Sequence, residues 1–412
     1  MSSNYYTELS PQNGNYRWYI LALATLTGTF VAAAPFSCMP VLFKEISDDL
    51  GLNLVQIGTI WGFGNLAGLF VSLLAGLLSD RFGVKLILIV FCILTGVTGA
   101  LRGLADSYAA LAFFMFLNGA VRLVIPITVT KTIGMWFKGK HLALGMGFGA
   151  TGMGLGLMLG PMLSATVFSP WLGGWQNVMF FYGAISAGIG ILWIFLGREP
   201  ERETPSSTSS KTASFRQNLS RLIHVKGIWL LGFNLFCRVG ALMGMTGYLP
   251  LYLRDELGWE NAAADGTLTL FYGVSTLFVV PLAFLSDRIG ARKPILYVGI
   301  FVSTISLGIL PLVDGEVIWI LMALSGIFMD SYMSISTTVL LETPQIGMAA
   351  SGTALGFVST IAHIGNVSSP PLGNSLAAFT AGAPFYFWAF LALMGLIPLL
   401  FIKETSWRGQ KA

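Results

Sequence analysis

Runs of about 20 consecutive apolar residues recur along this chain, and a run of that length is what an α-helix needs to cross the hydrocarbon core of a bilayer. Twelve such segments lie at approximately 18–43, 55–79, 84–104, 107–131, 141–167, 176–197, 226–253, 264–287, 294–312, 316–341, 347–375 and 381–403. Of the 412 residues 55% are apolar and only 10% charged, against roughly 25% charged in soluble domains. Backbone groups in lipid must be satisfied within the segment that carries them, so spans of this length are expected to be helices. The expected fold is all-α and membrane-embedded, and nothing in the composition suggests nucleic acid as a partner.

The polar first 17 residues lead into a long apolar segment. No short apolar core with a small-residue cleavage site follows, so no removable signal peptide is expected. Cys38, Cys92 and Cys237 each fall inside a span without paired spacing, the pattern of ordinary buried thiols. Basic residues near membrane ends are retained on the cytoplasmic side. With the amino terminus inside, 18 of the 23 Lys and Arg lie on inner segments, and only Lys44, Arg102 and Arg254 on outer ones. Both termini are therefore expected in the cytoplasm of a plasma-membrane protein, and Arg122 and Arg238 are left within the membrane.

The chain repeats itself. Residues 78–83 read LSDRFG and residues 285–290 read LSDRIG, an offset of 207. The same offset maps Gly145 and Gly149 onto Gly352 and Gly356, and Asp49-Leu50-Gly51 onto Glu256-Leu257-Gly258. Two homologous halves follow, 1–197 and 226–412, each of six helices, joined by a charged Ser/Thr/Pro-containing linker at 198–225 that is expected to be cytoplasmic. Such parallel repeats are related by an axis along the membrane normal, with a substrate site near the midplane where they meet.

The stretch GLLSDRFGVK at 76–85 and its echo FLSDRIGARK at 284–293, with the twelve spans and the central linker, resemble the major facilitator superfamily over nearly the whole chain. That resemblance implies two pseudo-symmetric six-helix bundles and a secondary transporter. It also implies a conformational latch at Asp80, Arg81 and Lys85, with Asp287 and Arg288 in the second half. The same basic residues are alternatively read as topology signals. Gly145, Gly149, Gly152, Gly156 and Gly160 keep one face of the fifth helix bare, read first as close helix packing. Family members that exchange substrates carry a related pattern.

An arginine inside a spanning helix is costly and is expected to face a protein interior or a watery cavity. Arg122, Arg238 and Asp330 sit at comparable mid-membrane depth on the fourth, seventh and tenth helices, which in the family line the central cavity. Asn118 precedes Arg122 and Asn234 precedes Arg238 by one turn, extending each polar face. Tyr332 is counted with them as substrate-binding, and Asp330 and His363 are read as a proton-coupling or charge-pairing set. Two guanidiniums against one carboxylate leave one positive charge, which a small organic anion would neutralise through a bidentate fork. A permanent strut between Arg122 or Arg238 and Asp330 is the competing reading, as is a packing role for His363.

No phosphate-binding glycine loop, no nucleophile with a base and no Cys/His ligand cluster occurs. No cofactor, metal or enzymatic chemistry is expected. The expectation is a monomeric secondary transporter of a small organic anion, coupled to a proton or a counter-anion. A proton-driven exporter of drugs or metabolites is the alternative.

Overall fold

The computed structural model describes residues 15–68, 70–71, 78–79, 81–137, 141–199, 222–343, 347–402 and 404. In the first half, α1 spans Tyr16–Ser37, α3 Val84–Leu104, α4 Tyr108–Trp136, α5 Leu144–Leu172 and α6 Trp175–Leu196. In the second, α7 spans Lys226–Asp255, α8 Asn261–Ile289, α9 Lys293–Leu312, α10 Glu316–Glu342 and α12 Ala383–Phe401. Among the described residues these ten are long and apolar enough to cross a membrane. The remaining two expected segments are helical as well, α2 at Leu54–Leu66 and α11 at Gly347–Ser375. Residues 200–221 of the expected linker lie outside the described residues.

Three helices are interrupted where charge or polarity is placed. In α1, a π-helical segment at Gly28–Ala33 is followed at once by Pro35 and, after a turn at Cys38, by a further helix Met39–Leu50. π segments and proline each leave carbonyls without their usual i+4 donor. In α4, the helix Tyr108–Arg122 ends beside Leu123 and resumes as Val124–Trp136, so Arg122 occupies a last helical turn. In α10, the break falls at Phe328, and Asp330 occupies the first turn of Met329–Glu342. A cation at a helix carboxyl end and an anion at an amino end are each favoured by the local dipole. The two halves thus break the same pseudo-equivalent helix and put opposite charges at the break.

The glycine face of α5 packs as small-residue interfaces do. A Cβ on Gly152 would lie 2.8 Å from the Thr25 carbonyl oxygen, and one on Gly156 would lie 2.4 Å from that of Thr29. Thr29 Oγ1 donates to the Gly152 carbonyl at 2.8 Å, sealing α1 against α5. Gly145 and Gly149 face Phe137 and Ile133 at the end of α4.

The halves meet along two seams related by the pseudo-symmetry, α2 against α11 and α5 against α8. The α2–α11 seam is made by backbone contact: a Cβ on Gly62 would lie 2.5 Å from the Val367 carbonyl oxygen, and one on Gly58 would lie 2.8 Å from that of Pro370. Trp61 Nε1 also donates to the Met243 carbonyl of α7 at 2.8 Å, and Asn374 Nδ2 to the Leu54 carbonyl at 2.7 Å. Among the described residues, the recorded hydrogen bonds that cross between halves lie in the middle of the bundle or at the end opposite the termini, called the far end below.

Candidate functional site

Arg102, Arg122 and Arg238, each buried in the bundle, are held differently. Arg122 is 6% exposed, donates from Nη1 to the Ala32 carbonyl at 3.1 Å, and lies over the Phe36 ring at 4.4 Å. Phe36 stacks on Trp61 at 4.6 Å between centroids. Arg102, expected on an outer loop, is instead 1% exposed at the end of α3, because the helix continues through a 3-10 turn at Arg102–Leu104. Its Nη1 donates to the Pro35 carbonyl at 3.2 Å and its Nε to Gly99 at 3.2 Å. Both first-half guanidiniums therefore hold carbonyls of the interrupted part of α1.

Arg238 has no such engagement. It is 1% exposed on α7, and among the described residues none of its Nε, Nη1 and Nη2 has a hydrogen-bond partner. Its guanidinium lies 5.3 Å from the centre of the Tyr332 ring, a cation–π approach that satisfies no N–H. Leaving buried charged donors unpartnered is costly.

The flanking amides depart from expectation. Asn118 Nδ2 donates to the Thr95 carbonyl at 3.2 Å and to Thr98 Oγ1 at 3.1 Å, so it stitches α4 to α3 and does not extend the face of Arg122. Asn234 Nδ2 donates to the Gly395 carbonyl at 2.7 Å, and its Oδ1 accepts from the Tyr332 hydroxyl at 2.8 Å. A buried amide takes the nearest backbone partner within its own half. Asn234 consequently positions Tyr332 against Arg238 and is not itself turned to a ligand.

Asp330 makes no ion pair with either arginine among the described residues. It accepts from Ser275 Oγ at 2.6 Å, and its backbone N–H donates to the same oxygen at 3.1 Å. The strut of the competing reading is not made between these described residues, because Arg122 is turned to α1 and Asp330 to α8. His363 packs its ring against Gly68 across the α2–α11 seam, its Nδ1 buried without a partner among the described residues, and lies within electrostatic reach of Arg122.

At the termini end, Asp80 lies outside the described residues. Arg81 is exposed over the Phe82 ring, and the Lys85 backbone N–H donates to Glu199 Oε1 at 3.2 Å. Asp287 pairs with Arg292 and not with Arg288, which is exposed. Arg292 also meets Glu342 at 3.0 Å. The Glu342 and Asp287 carboxylates hold its guanidinium above the ordinary arginine range. Glu404 accepts the backbone N–H groups of Arg292 and Lys293 at 2.9 and 3.0 Å. Among the described residues none of these contacts runs from one half to the other, so no engaged latch between halves is seen there. Arg292 could have been singled out from the sequence, since the 207-residue offset carries Lys85 onto it.

Twelve helices in two repeats, with guanidiniums buried inside the bundle, have the build of a secondary transporter. The sequence profile of the Major Facilitator Superfamily matches residues 25–350 and 267–411, and the chain belongs to that family, a transporter and not an enzyme. Among curated proteins, the probable nitrate/nitrite antiporter NarK1 of Thermus thermophilus is 26% identical over 94% of this chain and 91% of its own length. The probable sulfoacetate transporter SauU of Cupriavidus necator is 26% identical over 87% of each chain. The crystal structure of the nucleoside transporter NupG matches with a TM-score of 0.77 over 94% of this chain and 100% of that one, at 14% identity.

Proposed function

We propose that this chain carries a small, singly charged organic anion across the membrane, with the termini on the cytoplasmic side and the two ends of the bundle opening alternately. The observation that carries the reading is Arg238, buried with all three nitrogens unpartnered among the described residues. A carboxylate is the group a guanidinium fork matches in two parallel N–H···O bonds. Tyr332, fixed by Asn234, backs the guanidinium on one face. Arg122 is the second ligand, available when it exchanges the Ala32 carbonyl for the anion. The excess of basic residues on the segments that share the termini's side supports the orientation. The names of the nitrate/nitrite and sulfoacetate relatives, both anion carriers by description, agree with an anionic cargo.

Coupling is assigned to Asp330 and His363, a carboxyl held by one serine and an imidazole within electrostatic reach of Arg122. A proton on either would remove or add one charge in a site that already holds Arg122 and Arg238. Counter-anion exchange needs only the two arginines.

The test is a thermal-shift panel of carboxylates and inorganic anions on the purified protein, followed by uptake of the best ligand into proteoliposomes. A stabilising anion whose uptake is lost in Arg238→Ala supports the reading. Full uptake by both Arg238→Ala and Arg122→Ala overturns it, as does stabilisation by a cationic drug with no response to any anion, the result an exporter would give.

A further inference from the structure

The two seams that close the far end are built from different materials. At α2–α11, glycines let backbones touch. At α5–α8, the position equivalent to Gly58 by the 207-residue offset is Asp265, a buried carboxylate paired with Arg254. The side chains of the pair are 6% and 1% exposed, and both residues belong to the second half. Each extends one hydrogen bond across the seam to the first half. Arg254 Nη1 donates to the Val41 carbonyl at 2.7 Å, and Asp265 Oδ2 accepts from Thr166 Oγ1 at 3.1 Å. Thr166 sits in a π-helical segment of α5, Ser164–Phe168, and Val41 in the helix that follows the break at Cys38.

We propose that Arg254 and Asp265 form the releasable lock that holds the far ends of the two halves together, with Thr166 and the Val41 carbonyl as its keepers. The geometry suits release. Separating a buried ion from its counter-ion is strongly unfavourable, but this pair stays intact when the halves part, since both ions ride on the same half. Only two hydrogen bonds to the first half are lost, and water entering the opened seam replaces them. A pair divided between the halves would resist opening far more.

A second contact lies at the rim. Lys44 of the first half meets Asp255 of the second at 3.2 Å, and also Asp48 of its own helix at 3.0 Å. Asp48 and then Asp255 hold its ammonium above the ordinary lysine range. Its side chain is 38% exposed, so this bond is screened and secondary. Arg254 was expected to be a topology signal on an outer loop, and its burial shows a further role.

The lock is tested on the full chain without substrate, by the distance between spin labels at Asp106→Cys and Thr380→Cys. Both positions are exposed, lie at the far end of different halves and stand apart from the pair, and native Cys38, Cys92 and Cys237 are buried. Asp265→Asn and Arg254→Gln are expected to raise the population with far ends apart by about tenfold or more, since a hydrogen bond to an ion is worth a factor of that order. Thr166→Val, which leaves the pair untouched and removes one keeper, should shift it in the same direction by less. Asp265→Glu should restore most of the closed population. If the distance distribution is unchanged in Thr166→Val and in whichever of the other two folds, the lock is refuted. Because no anion is present, that result is independent of which cargo the protein carries.

Discussion

The two halves share a fold by repetition yet treat Arg102 and Arg122 of the first and Arg238 of the second in opposite ways. In the first half, Arg102 and Arg122 donate to the Pro35 and Ala32 carbonyls, groups exposed by the interruption of α1. In the second, Arg238 lies on α7, a helix of 30 residues with Pro250 in its interior, and among the described residues none of its guanidinium nitrogens has a hydrogen-bond partner. Arg102 and Arg122 therefore have partners without a ligand, and Arg238 has none among the described residues. A buried cation with a structural partner tolerates an empty site, whereas one without a partner selects for an anion.

Experiments that strip each arginine in turn would break or sharpen this contrast. The largest effect is expected for Arg238→Ala, with anion binding weakened by about 100-fold or more, as for truncation of a buried charged partner. Isothermal titration or the thermal-shift response would read it, and folded stability should hold or rise as an unpartnered charge is removed. Next comes Arg122→Ala, with affinity lowered about tenfold and stability also reduced, since the Ala32 carbonyl loses its donor. Equal affinity losses in the two variants, with equal stability, would erase the distinction between the halves. Arg102→Met should destabilise by about 1–3 kcal/mol through the orphaned Pro35 carbonyl while leaving anion affinity unchanged, measured by unfolding temperature against binding constant. The smallest change is expected for Tyr332→Phe, about 1 kcal/mol from the lost bond to Asn234, seen as a few-fold weaker binding with the cation–π face kept.

Much of the architecture was legible because a bilayer imposes length and composition on every span. All twelve apolar segments are mainly helical where they are described, with breaks such as those at Cys38, Leu123 and Phe328, and the 207-residue repeat lands on equivalent helices. The burial of Arg122 and Arg238 inside the bundle was readable for the same reason. Side-chain direction was not. Asn118 and Asn234 share a helical face with their arginines by spacing, but α3 and α12 offer them closer partners, and local hydrogen-bond demand overrides periodicity. The breaks at Leu123 and Phe328 also turn Arg122 and Asp330 onto separate neighbours, which no count of residues along a helix anticipates. Asp265 lies inside the eighth apolar segment and Arg102 inside the third. The rule that made Arg122 conspicuous applies equally to both, and treating segment ends as loops concealed them.

The glutamates that follow the last helix of each half have a consequence for how the gene could be cut. Glu199 seats on the amino end of α3 and Glu404 on that of α9, each from the chain just beyond α6 or α12. Arg198 lies over Tyr16, whose hydroxyl donates to the Leu196 carbonyl, so the first half also fastens its own last helix to its first. Each six-helix unit thus carries its own terminal fastening, encoded outside residues 200–221. A polypeptide divided within that stretch would deliver two fragments, each with its helix ends already closed, free to insert separately and find one another along the glycine seam.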